Sequence, residues 1–144
     1  MDAHVSRIQH GSSEYAAAVA LRHRILRAPL GLTFTAEELD AEREHEHLAA
    51  FTGDALVGTL VLTPVDEGVL KLRQMAVAPE GARQGTGGLL VAFAERVALE
   101  RGTRRIVLHA RVSAQPFYEK QGYRADGAIF TEVTVPHIAM SKLL

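Results

Sequence analysis

From Leu72 to Leu90 the chain reads Leu-Arg-Gln-Met-Ala-Val-Ala-Pro-Glu-Gly-Ala-Arg-Gln-Gly-Thr-Gly-Gly-Leu-Leu, an apolar strand, a tight turn and a helix start. Such a turn suits an anion. The first amides of a helix have no intrahelical acceptor and lie at the positive end of its dipole, so phosphate oxygens can replace the missing carbonyls. The backbone amides of Arg83, Gln84, Gly85, Thr86, Gly87 and Gly88 are the candidate cradle. Gly85, Gly87 and Gly88 carry no side chain to hold a phosphate away and can take positive φ, while the Arg83 guanidinium adds a charged fork. By themselves, the glycines account equally well for a plain strand-to-helix turn. Two phosphate motifs are excluded. No Gly-Lys-Ser/Thr tripeptide occurs, so a P-loop is absent, and a dinucleotide fingerprint starting at Gly85 would want Gly or Ala where Leu90 stands.

A second concentration of chemical groups is Glu37, Glu38, Asp40, Glu42, Glu44 and Glu46, interleaved with His45 and His47. A solvated helix face is the better account of the run from Glu42 to His47, although concentrated negative charge also favours a nearby cationic amine. No ligand pattern such as H-E-x-x-H occurs, and there is no cysteine. No metal site and no thiolate chemistry are therefore expected.

These groups must be held by elements of one domain, residues 1–144, a length that sustains its own core. With 47% hydrophobic and 23% charged residues, the composition is that of a folded globular protein rather than a disordered one. A formal charge of -1 offers no basic field for nucleic acid. No apolar run reaches the ~18 residues that span a bilayer, no leader is recognisable, and the lack of cysteine removes any need for an oxidising compartment. A cytoplasmic protein that engages neither membrane nor nucleic acid is expected.

Alternation predicts a strand over Val5–Gln9, with Ser12 or Ser13 capping a helix from Glu14 to about Arg27 that Pro29 stops. Thr35 and Glu38 form a capping box for a second helix, near Ala36–Glu46. Strands follow at His47–Thr52, Ala55–Leu62 and Val69–Val77, divided by Gly53-Asp54 and by Pro64–Gly68. Leu89, Leu90, Phe93, Ala94 and Val97 trace the apolar face of a long helix ended by Gly102, and a strand over Arg105–His109 completes a right-handed crossover. Ser113 is the expected cap of a short helix, and strands near Tyr123–Asp126 and Thr131–Lys142 close the chain. The fold class is α/β of the α+β kind, with a mixed, mainly antiparallel central sheet, one β-α-β crossover and flanking helices.

At this point the residues resemble the GCN5-related N-acetyltransferases, the GNAT superfamily. Members often show M-A-V-x-P followed by [Q/R]-x-x-G-x-[G/A]. Here Met75-Ala76-Val77-Ala78-Pro79 precedes Ala82-Arg83-Gln84-Gly85-Thr86-Gly87 at that spacing, with Ala82 in place of Gln or Arg. Independently, Ala114-Gln115-Pro116-Phe117-Tyr118-Glu119-Lys120-Gln121-Gly122-Tyr123 is similar to the family's A-x-x-F-Y-x-K-x-G-[F/Y] block, and Arg111 stands where many members carry Asn. Most of the chain is covered.

The resemblance implies an acyl-CoA N-acyltransferase fold that uses acetyl-CoA as cosubstrate and no metal. The main chain of Met75, Ala76 and Val77 would hold the pantetheine arm and polarise the thioester carbonyl, the turn at 83–88 would take the diphosphate, and Arg111 marks a further cofactor position. Tyr118 would be the general acid that protonates the leaving thiolate after direct amine attack through a tetrahedral intermediate. By position alone, Tyr118 is more readily a packing residue beside Phe117, a preference that the resemblance reverses. The implied acceptor is a primary amine of a small molecule or peptide. His109, His137, Glu42, Glu44 and Glu46 are candidates for its proton, none of them singled out, and oligomeric state is open, a homodimer included. Two other readings share these residues: a non-catalytic CoA-binding module, and a structural domain whose glycines only make turns.

Overall fold

The computed structural model describes residues 2–82 and 84–144. Strand β1 (His4–Ile8) leads into helix α1 (Ser13–Arg22), where Ser12 Oγ accepts the Tyr15 amide at 3.1 Å. The helical path does not run straight to Arg27 as the sequence predicts. It widens into a π-helical turn over His23–Arg27, with the Ala28 amide bonding back to the His23 carbonyl, then tightens into a 3-10 turn over Ala28–Leu30 that ends at Gly31 (φ 71°). Pro29 lacks the amide that an α-helix would need there.

Helix α2 (Ala36–Asp40) carries the expected capping box, with Thr35 and Glu38 exchanging side-chain-to-amide bonds of 3.1 Å. It stops six residues short of the predicted Glu46, because Glu42 turns inward. Glu42 is only 3% exposed and receives both Arg22 Nη1 and Nη2, with the Tyr15 hydroxyl at 2.6 Å. His47 Nε2 meets the Glu42 carbonyl at 2.7 Å. The solvated-face reading is therefore wrong for Glu42, whose charge is buried and paired.

Strands β2 (Glu46–Thr52), β3 (Ala55–Asp66) and β4 (Val69–Val77) form the antiparallel meander, with β3 running past Pro64 to leave only Glu67-Gly68 as the turn. A single helical turn, α3 (Pro79–Ala82), precedes the long helix α4 (Thr86–Glu100), and β5 (Arg105–Arg111) follows. After a 3-10 turn over Val112–Ala114 comes α5 (Gln115–Lys120). Its N-cap is Ala114, with no side-chain capping bond, so Ser113 does not play the predicted part. Strand β6 (Arg124–Ala125) is short, and the expected last strand is a hairpin of β7 (Phe130–Glu132) and β8 (Val135–Leu143).

The sheet order is β1-β2-β3-β4-β5-β8-β6, with β7 also on β8. Among the described residues only β4 and β5 pair in parallel, and only over Val69–Leu72 against Arg105–Leu108. Beyond Leu72 the two strands part. The cause lies in β4, where Thr59 faces Ala76 and Val61 faces Arg73, so Gln74 and Met75 of β4 together oppose Leu60 of β3. Gln74 takes up the extra residue at φ 55°. Such a bulge bends its strand and raises the local twist, which pulls β4 off β5.

One face of the sheet is sealed by α4, where Leu90, Val91, Ala94 and Val97 pack with Leu60, Leu62, Leu72, Ile106 and Leu108, all at most 3% exposed. Each fully buried Leu or Val contributes about 1.5–3 kcal/mol. The opposite face is covered at the β1 side by α1, through Tyr15 and Ala18 on Ile8 and Ala49, and is open over β4, β5 and β8. Among the described residues no helix is long and apolar enough to cross a membrane.

Candidate active site

The parting of β4 and β5 brings together segments that are far apart in sequence. On its β3 side, β4 is paired through Ala76 to Thr59 and Val77 to Gly58. On the β5 side, the main chain of Met75, Ala76 and Val77 has no strand partner. A polar ligand arm laid in this opening would meet unpaired backbone groups.

At the end of β4 the first bond within α4 runs from the Leu89 amide to the Gly85 carbonyl at 3.1 Å, so the Thr86, Gly87 and Gly88 amides precede any intrahelical acceptor. Gly85 adopts φ 78°, and a Cβ there would meet nothing within 4 Å. It is the one glycine of the three with the conformation and open space predicted for all of them. Gly87 is filled from the protein itself: a Cβ would lie 3.0 Å from Phe117 Cζ and 3.1 Å from Met75 Cε. A Cβ on Gly88 would touch Gln121 at 3.6 Å. Thr86 is fully buried, its side chain beside Gly58 and Gly81, so it offers only its amide. The Gln84 amide is removed from the candidate cradle, because it donates to the Gly81 carbonyl at 3.1 Å. Arg83 lies outside the described residues.

Tyr118, from α5, reaches the same opening. It is 7% exposed, stands edge-on to Phe117 at 5.0 Å, and directs its hydroxyl at Met75 Sδ at 3.5 Å. Thioether sulfur is a weak acceptor, so the phenolic proton is not committed to a strong partner. Burial pushes the phenol up to about 12, which keeps it a neutral donor at physiological pH.

Beyond Tyr118 and Met75 lies a cavity of about 390 Å³ between the π-helical turn and the open faces of β4, β5 and the β7–β8 hairpin. Arg111 lines it and donates to the Leu26 carbonyl at 3.0 Å. That bond holds its side chain against the cavity wall. Leu26 and Arg27, from the π-helical turn, border the space. His109 and His137 both line it, whereas Glu42, Glu44 and Glu46 do not.

Glu132 completes the group and went unpredicted. Its carboxylate meets His109 Nδ1 at 2.9 Å and lies 3.8 Å from His137 Nε2. Burial works to raise the Glu132 carboxyl, but the His109 hydrogen bond and the charges of His109, His137 and Lys71 together hold it below its ordinary value. Lys71 Nζ also stands 3.2 Å from His109 Nδ1. A nitrogen cannot donate to Glu132 and accept from Lys71 at once. Since a carboxylate only accepts, the shorter contact assigns the Nδ1 proton toward Glu132, and in the neutral imidazole Nε2 is left as the acceptor nitrogen. Val133 and Thr134, at φ 49° and 63°, make the tight turn that places Glu132 over the cavity. Their β-branched side chains are poor turn formers, which hides the hairpin from sequence reading.

The acetyltransferase (GNAT) domain family model matches residues 30–144. The uncharacterized N-acetyltransferase YjcF of Bacillus subtilis is 32% identical over 108 residues, covering 74% of this chain and 76% of that protein. A Lactobacillus plantarum crystal structure described as a candidate N-acetyltransferase superposes with a TM-score of 0.86 at 26% identity, covering 100% of this chain and 99% of the other. An aminoglycoside 6'-N-acetyltransferase solved with coenzyme A shares the fold at a TM-score of 0.80 and 21% identity, over 97% and 96% of the two chains.

Proposed function

Because the chain belongs to the GNAT acetyltransferase family, we propose that it transfers an acetyl group from acetyl-CoA to a primary amine by direct attack through a tetrahedral intermediate. The observation that carries this reading is the opening between β4 and β5, where unpaired main chain at Met75–Val77, the Tyr118 hydroxyl and a 390 Å³ cavity adjoin one another. Each supplies a part of acyl transfer that the others cannot.

The amides of Thr86, Gly87 and Gly88 would receive the cofactor diphosphate, in keeping with the coenzyme A bound by the aminoglycoside N-acetyltransferase of the same fold. The positive φ and open surroundings of Gly85 fit that use, since nothing fills the approach there. Coenzyme A supplies the activated acetyl group. Backbone N–H groups at Met75–Val77 are fixed by the sheet before any charge develops, and a preorganised donor at the carbonyl oxygen is worth about 10²–10³ in rate. Tyr118 donates its proton to the departing sulfur. His109 Nε2, oriented through Nδ1 by Glu132, accepts the proton that the acceptor's ammonium must lose before attack.

The test is Tyr118→Phe, followed by acetyl-CoA-dependent release of CoA with a good acceptor. Loss of a general acid lowers kcat by about 10²–10⁴ while CoA affinity is retained. An unchanged kcat removes the assigned role.

A further inference from the structure

The walls of the cavity carry more positive charge than an acceptor bearing only an amine can use. Arg27, Arg73 and Arg111 line it as permanent cations and Lys71 adds an ammonium that burial pulls below its ordinary value, against the carboxylate of Glu132. Two of these charges are partly matched: Arg27 stands 3.4 Å from Glu38, and Lys71 lies within the field of Glu132. Among the described residues Arg111 bonds to a neutral carbonyl and makes no ion pair. Arg73 is half-buried and, among the described residues, has neither a hydrogen bond nor an ion pair. A guanidinium partly removed from water without a counter-charge is unfavourable until an anion arrives.

The acidic run that would favour a purely cationic acceptor lies elsewhere. Glu37, Glu38 and Asp40 are exposed on α2 and line no part of the cavity, and Glu42 is neutralised by Arg22. Low-dielectric walls focus the field of the charges that do face the space.

We propose that the acceptor bears an anionic oxygen group, a carboxylate or a phosphate, in addition to its amine, and that Arg73, supported by Lys71, binds that group on the β4 wall. The inference rests on the acetyl-transfer reading and names the acceptor class for the same site. Arg73 and Lys71 precede the Gln74 bulge on β4, and Met75, where the amine must meet the acyl group, follows it. That arrangement suits an amino carboxylate or aminoalkyl phosphate small enough for 390 Å³.

The test uses matched acceptors that differ only in the anionic group: amino carboxylates against their carboxamides, and aminoalkyl phosphates against the corresponding amino alcohols. CoA release is followed by steady-state kinetics. One charge-assisted contact corresponds to a preference of about 10- to 100-fold in kcat/KM for the anionic member, and the arm with the larger preference identifies the group as carboxylate or phosphate. Arg73→Gln raises KM for that member with little change in kcat and removes most of the preference, and Arg73→Glu reverses it. Equal efficiency for anionic and neutral members overturns the inference and leaves acetyl transfer standing. So does an Arg73→Gln protein whose defect is in CoA affinity instead of acceptor KM. No release with any acceptor, from protein that binds acetyl-CoA, removes the acetyl-transfer reading itself and the inference with it.

Discussion

Two neighbouring glycines with the same place in the motif have opposite reasons for being glycine. Alanine is favoured over glycine by about 1 kcal/mol in a helix, while overfilling a packed site costs about 1–3 kcal/mol. At Gly87 the new methyl would press on Phe117 and Met75 at 3.0–3.1 Å, so the packing loss wins; at Gly88 the contact of 3.6 Å is ordinary. Gly87→Ala therefore lowers the urea midpoint and Gly88→Ala raises it. At Tyr118, a phenol pushed up to about 12 remains protonated through the working range. The pH profile of the wild type then shows no loss of kcat from Tyr118 ionisation below about pH 10. A basic limb that disappears in Tyr118→Phe would contradict this.

Strand β4 and the β7–β8 hairpin both hold non-glycine residues at positive φ beside the cavity: Gln74 in one, Val133 and Thr134 in the other. Such conformations cost of order 1–3 kcal/mol each, most for β-branched residues. A two-residue hairpin with φ positive at both positions is best served by Asn-Gly. Replacing Val133-Thr134 by Asn-Gly should stabilise the protein by about 1–3 kcal/mol in urea unfolding. Because Val133 lines the cavity, the same change should raise KM for the acceptor more than it alters kcat. The conflict between local preference and observed turn is the reason the hairpin reads as one strand in the sequence.

Across the whole molecule, the Arg22–Glu42 pair joins α1 to the chain entering the sheet, with both side chains at most 4% exposed. Removing one partner strands the other charge, and Glu42→Gln should cost about 3–5 kcal/mol. The pH dependence follows from the same pair. Burial acts to raise the Glu42 carboxyl, but bonds from Arg22 and Tyr15 and the charge of Arg22 outweigh it, so the folded state holds it below its ordinary value. A depressed carboxyl contributes stability that is fully present above its unfolded value and is lost as pH falls through the folded one. Urea midpoints of the wild type should thus fall steeply below about pH 4, and those of Glu42→Gln less so.

By itself, the sequence determined the elements whose signals are local: a cap at Ser12 or Ser13, the Thr35 cap, the α4 face, the crossover and the two motif blocks around Gly85 and Tyr118. Periodicity, caps and glycine spacing act over one or two turns of chain, and a short window contains them. Only the tertiary structure decided that Met75, Gly87 and Phe117 interlock, that Glu42 is buried, and that Glu132 joins His109 above a cavity walled by Arg73 and Arg111. These depend on which strand faces which and on the bulge that parts β4 from β5. Charges counted along the chain carry no such information, since burial and pairing are set by segments up to 93 residues apart, as between Arg7 and Glu100.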